Sequence, residues 1–139
     1  MKNTFCYGFI VYRVNQDKKF EFLILKSSQD HHDFPKGHKD KEDKTKLDTA
    51  KRETFEESGL SDLKISDNFS VAIDYVIPKF NTHKFVELFL AEYLSGEIIL
   101  SQEHVDFKWC DFETALNLLE FDNSKTALTS AYNFLDFTS

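Results

Sequence analysis

FPKGHKDKEDKTKLDTAKRETFEESGL, residues 34–60, runs from a Pro-Lys-Gly turn into a charged helix that closes on Gly59. At 100° per residue, Glu53, Glu56 and Glu57 fall within an arc of about 100° on one helix face. Like charges that close lower helix stability unless a cation offsets them. The pattern therefore predicts converging carboxylates around a hard cation that takes oxygen ligands, magnesium first and manganese as the alternative. A merely solvated acidic face is the competing reading. The turn before the helix, Arg52 within the carboxylate run and Gly59 as a helix stop weigh against it. The helix is expected over about 45–58, with Leu47, Ala50 and Thr54 on the packed stripe and Phe55 further round, also against a sheet.

Upstream, TFCYGFIVYRV (4–14) and FEFLILK (20–26) are rich in β-branched and aromatic residues and predict two strands joined by the polar turn 15–19. The first lacks clean alternation, which predicts a strand covered on both faces, with Gly8 at a bulge or a close backbone approach. SQDHHDFPKGH is read as a polar loop. Its histidines lack the spacing of a zinc set. His31 and His38, with Lys36, are instead candidates for hydrogen bonds to phosphate.

Downstream, strands are expected over 63–78 and 84–93, separated by a loop (79–83) longer than a tight hairpin. A further strand follows the loop holding Glu103. Two helices close the chain, about 112–119 with Asp111 as N-cap and about 124–137. Tyr75 could stack on a base, and Lys84 could face a phosphate. The chain of 139 residues, 41% hydrophobic and 15% aromatic, suits one globular domain spanning 1–139. A net charge of −7 disfavours an extended nucleic-acid surface and favours a small phosphorylated substrate. Cys6 and Cys110 read as buried free thiols in a reducing, cytoplasmic setting. Neither a long apolar run nor a basic amphipathic helix points to a membrane, and a monomer is expected.

The helix resembles the Nudix box, Gly-x5-Glu-x7-Arg-Glu-u-x-Glu-Glu-x-Gly-u with u aliphatic or aromatic. It is matched by Gly37, Arg52, Glu53, Phe55, Glu56, Glu57, Gly59 and Leu60. Gly37 and Arg52 stand fifteen positions apart where the family has fourteen, and the first Glu is absent, leaving Glu42 or Asp43 to substitute. The resemblance implies an α/β fold, the Nudix α/β/α sandwich with a mixed central sheet, and metal-dependent hydrolysis of a nucleoside diphosphate derivative. FEFLILKSS, PKGH and SQEHVDFKWCDFETAL are further similar to the animal-type asymmetric diadenosine tetraphosphate hydrolases. That similarity implies cleavage of the dinucleoside polyphosphate to ATP and AMP, with Glu53, Glu56, Glu57 and Glu103 as metal ligands. It also implies catalytic roles for Glu57, Glu53 and Arg52, the last orienting its carboxylate neighbours. Lys36, His38, His31, Lys84 and Tyr75 would bind substrate. Two other readings stand beside this one: a Nudix enzyme acting on RNA 5′ ends by decapping or pyrophosphate removal, and a noncatalytic nucleotide-binding sensor.

Overall fold

The computed structural model describes residues 1–138, so the expected domain is described except for Ser139. Strand β1 (Lys2–Val14) runs between β2 (Phe20–Ser27) and β6 (Thr82–Ser95), with β5 (Asp62–Ile77) beyond β6. β1 pairs parallel with β6, from Lys2↔Thr82 to Tyr12↔Glu92, and the remaining pairings are antiparallel, so the sheet is mixed. β7 (His104–Cys110) pairs with β2, and two short strands, β3 (His32–Asp33) and β4 (Lys36–His38), pair with β2 and β1. The segment expected to be a plain polar loop thus contains β3 and β4. Each is too short to carry a hydrophobic period, and each is held by the free edge of a longer neighbour.

Side chains that alternate along β1 and β2 divide between two cores. Phe9, Val11, Leu23 and Leu25 pack beneath Ala50 of helix α1 (Lys46–Ser58). Ile10, Phe22 and Ile24 face Ala115 of α2 (Phe112–Leu118) and Ala127, Leu128, Ala131 and Leu135 of α3 (Asp122–Thr138). This is the α/β/α sandwich expected, with β1 covered on both faces. Cys6 and Cys110 are free and buried. No helix is long and apolar enough to cross a membrane among the described residues.

The ends of α1 follow the sequence closely. Thr45 forms a capping box with Asp48, and Gly59 closes the helix in the left-handed region at φ 78°. Phe55 departs from expectation: it is 55% exposed, because one residue beyond Thr54 the helix has turned about 100° away from the sheet. The loop between β5 and β6 is also shorter than expected. A single 3₁₀ turn over Pro78–Phe80 and a left-handed Asn81 (φ 46°) bring Ile77 directly opposite Thr82.

Gly8 sits where β4 approaches β1. A Cβ there would lie 2.1 Å from the Pro35 carbonyl oxygen and 2.5 Å from Lys36 Cβ. Backbone must move to admit it. Gly8→Ala is therefore expected to destabilise the protein by about 1–3 kcal/mol through overpacking, read as a lower urea midpoint at unchanged slope.

Candidate active site

The β1 edge is shared between two partners: β2 pairs with Tyr12–Val14, and β4 with Cys6–Gly8. That division brings β4, with Lys36 and Gly37, against α1. A cavity of about 590 Å³ results, lined by Lys36, Gly37, His38, Glu53, Glu57, Lys84, Glu103 and His104, with Cys6 and Ser27–Gln29. A neighbouring cavity of about 310 Å³ shares Lys36, Glu57, Lys84 and His104 and adds His31, Asp33, Tyr75, Ile77, Phe80 and Phe121. One hollow is polar and the other is walled by aromatic rings.

Arg52 organises the acidic helix face. Its guanidinium donates to Asp43 Oδ2 (2.9 Å), Glu53 Oε2 (3.1 Å), Glu56 Oε1 (2.6 Å) and the His38 carbonyl oxygen (2.8 Å). Asp43, whose side chain is 7% exposed, also accepts from the Thr49 hydroxyl and the Asp40 N–H. Those partners, Arg52 foremost and then Asp40, hold its carboxyl well below the usual carboxylate range. Of the two carboxylates that could substitute for the missing first Glu, the turn thus delivers Asp43 to Arg52 and leaves Glu42 exposed.

The three helix carboxylates do not meet at one point. Glu56 is drawn to Arg52 and does not line the cavity, because the guanidinium offers the nearest positive charge four residues back. Glu53 lies against Gly37, where a Cβ would come within 2.1 Å of its carboxyl carbon. Glu57 accepts the Lys36 N–H at 3.1 Å, and its Oε1 stands 4.0 Å from His104 Nε2. Burial pushes the Glu57 carboxyl up to about 7, outweighing the Lys36 N–H bond and the Lys36 charge. Burial raises Glu53 as well. Glu103 is exposed on the turn before β7, anchored by its carbonyl to Ser28 N–H at 2.8 Å.

Among the described residues no three of these donors already surround one point. The cavity presents Glu53 and Glu57 from α1 and Glu103 from the turn before β7. The donor set is nonetheless composed of hard oxygens, two of them on desolvated carboxylates, and it fits a magnesium-type ion. Gly37→Ala isolates the Glu53 contact. The colliding atoms belong to the far end of a flexible side chain, so the fold is expected to hold while the carboxylate is displaced. An activity loss of about 10–100-fold with little change in melting temperature is the expected result.

The remaining sequence candidates fall at both cavities. His38 lines the larger one, its imidazole pushed down by burial and then by the charges of Lys84 and Lys36. His31 is at the rim of the smaller cavity, with Nδ1 2.8 Å from Glu120 Oε2. Tyr75 is buried and stacks on Phe121 at 4.2 Å between ring centroids, its hydroxyl raised to about 12 by burial. Lys84 lines both cavities. Sequence reasoning missed Asp33, His104, Phe80 and Phe121. His104 had a signal in its place beside Glu103, and Asp33 in its spacing of three from Lys36. For the two phenylalanines, separated by forty-one residues and different elements, none was available.

Comparison with known proteins agrees with this fold. The NUDIX domain matches residues 4–131. The chain is 36% identical over 139 residues to bis(5′-nucleosyl)-tetraphosphatase (asymmetrical) of Mus musculus, covering 92% of each chain. It is 31% identical over 133 residues to the enzyme of the same name from Caenorhabditis elegans, covering 92% of this chain and 94% of the other. The crystal structure of a C. elegans Ap4A hydrolase binary complex superposes with a TM-score of 0.87 at 29% identity, covering 96% of this chain and 98% of that one.

Proposed function

We propose that this chain, which belongs to the Nudix family of hydrolases, cleaves dinucleoside polyphosphates in a metal-dependent reaction, taking diadenosine tetraphosphate to ATP and AMP. The observation that carries this reading is the pair of adjoining cavities, one lined by carboxylates and cations and the other by aromatic rings, joined at Lys36, Glu57, Lys84 and His104. A phosphate chain suits the first and a nucleobase the second. The asymmetric tetraphosphatases related to this chain over most of its length support the substrate class.

Glu53, Glu57 and Glu103 would hold magnesium, or manganese in its place, which when bound supplies Lewis-acid charge and lowers the pKa of water, while Glu56, paired with Arg52 outside the cavity, would add only its negative charge nearby. Glu57 is the group suited to take a proton from the attacking water, as a desolvated carboxylate whose pKa lies near neutrality. The water oxygen forms a bond to phosphorus, the bond from phosphorus to the bridging oxygen breaks, and the leaving nucleotide departs as a phosphate anion. Lys84 offsets charge on the phosphates that do not react, and the His38 imidazole can donate a hydrogen bond to them. Arg52 acts through its neighbours, holding Glu53 and Glu56 in fixed rotamers with its planar fork. Tyr75, Phe80 and Phe121 offer rings on which adenine can stack.

The test is a comparison of kcat/KM across diadenosine tri-, tetra- and pentaphosphate, nucleoside triphosphates and RNA bearing a cap or a 5′ triphosphate, all with magnesium. Preference for the dinucleotides supports the reading. Preference for RNA ends would replace it with a decapping or pyrophosphate-removing role, and tight nucleotide binding without turnover would replace it with a sensor.

A further inference from the structure

The ammonium of Lys36, one of the residues shared by the two cavities, already has a partner. Its Nζ lies 2.6 Å from Asp33 Oδ2, and only 15% of the lysine side chain and 27% of the aspartate side chain are exposed. The other Asp33 oxygen accepts the Phe34 N–H at 2.8 Å, while the pairing of Asp33 with Leu25 fixes the backbone beneath it. The aspartate is therefore held in place on two sides. Burial alone would push the Lys36 ammonium toward deprotonation, but Asp33, and then Tyr75 and Glu57, hold it charged. Lys84 lines the same two cavities and makes no ion pair among the described residues. Two cations face the substrate space, and one of them is occupied.

We propose that Asp33 is a specificity-determining residue that competes with the phosphate chain for Lys36. In the free protein its carboxylate takes the position on the ammonium that a phosphate oxygen would otherwise take. A polyphosphate must share or displace that contact, whereas Lys84 is available at once. Asp33 thus sets the affinity for the chain below what two unpaired lysines would give, which favours ligands long enough to engage both cations and weakens retention of short anionic products. This inference rests on the reading of the larger cavity as the phosphate site.

The discriminating experiment is calorimetric binding of inorganic tripolyphosphate, with magnesium, to wild type, Asp33→Asn, Lys36→Met and the double variant. Asparagine retains an oxygen for the Phe34 N–H while giving up the negative charge, and Asp33→Ser makes the same comparison should the asparagine protein fail to fold. Asp33→Asn is expected to bind about 10-fold more tightly than wild type, the scale of one charge-assisted hydrogen bond released to the ligand. In the Lys36→Met background the same change is expected to have no effect, since the competition requires the ammonium. Equal or weaker binding by Asp33→Asn, or a gain that persists without Lys36, would overturn the inference while leaving the phosphate site intact. Absence of binding by wild type would remove the phosphate site itself, and the inference with it.

Discussion

Glu57→Gln is expected to lose about 10²–10⁴-fold in kcat, the range for removing a positioned proton acceptor, and to lose metal affinity with it. The amide keeps an oxygen for the Lys36 N–H, so the loss reports chemistry more than folding. A second consequence separates this residue from a merely structural one. Because burial lifts the Glu57 carboxyl from 4.5 to about 7 in the fold, the native protein holds its proton more tightly than the unfolded chain does. Unfolding therefore releases a proton between those values, and stability falls as pH rises through that window. At pH 8 without divalent metal, ionised Glu57 is expected to cost up to about 3 kcal/mol. Glu57→Gln should then be the more stable protein at pH 8 in chelator, and the difference should disappear at pH 4, below both values. Denaturant unfolding at the two pH values checks it, and an equal difference at both would show that the carboxylate is not desolvated as described.

Arg52→Lys is expected to have the next largest effect, a fall of about 10–100-fold in activity together with a lower melting temperature. Lysine keeps the charge but cannot form the fork that engages Asp43, Glu53, Glu56 and the His38 carbonyl together. Asp43 loses most of what holds its carboxyl ionised. As a carboxylate whose pKa is depressed in the fold, it contributes stability that is present above its unfolded value of 3.8 and is lost as pH falls below it. The variant should accordingly show a flatter acid limb in thermal unfolding, whereas Lys51→Ala, one residue away and exposed, should match wild type in both respects.

The helix pattern made α1 legible from Thr45 to Gly59, because capping chemistry and a left-handed glycine stop are local properties that depend on few distant contacts. The two-faced character of β1 was equally plain in its unbroken apolar run, as was the tight approach at Gly8. What the sequence could not convey is how side chains choose partners once elements are assembled. The spacing of Glu53, Glu56 and Glu57 described a common helix face correctly, yet Arg52 on that face takes Glu56 away from the cavity. Asp43 and Glu42 were equivalent on paper, and only the turn 40–43 buries one and exposes the other. β3 and β4 owe their existence to pairing along neighbouring edges, a tertiary effect without a local period. The aromatic cavity joins Tyr75, Phe80 and Phe121 from β5, the turn before β6 and the segment leading into α3, so its composition emerges only with the fold.

The most direct test of the account is product analysis of diadenosine tetraphosphate incubated with the protein and magnesium, resolved by ion-exchange chromatography over early time points. ATP and AMP accumulating in equal amounts from the first turnover, and absent with Glu57→Gln, is the predicted result. Two molecules of ADP as the primary products, or an unchanged substrate under conditions where the protein hydrolyses RNA ends, would contradict it.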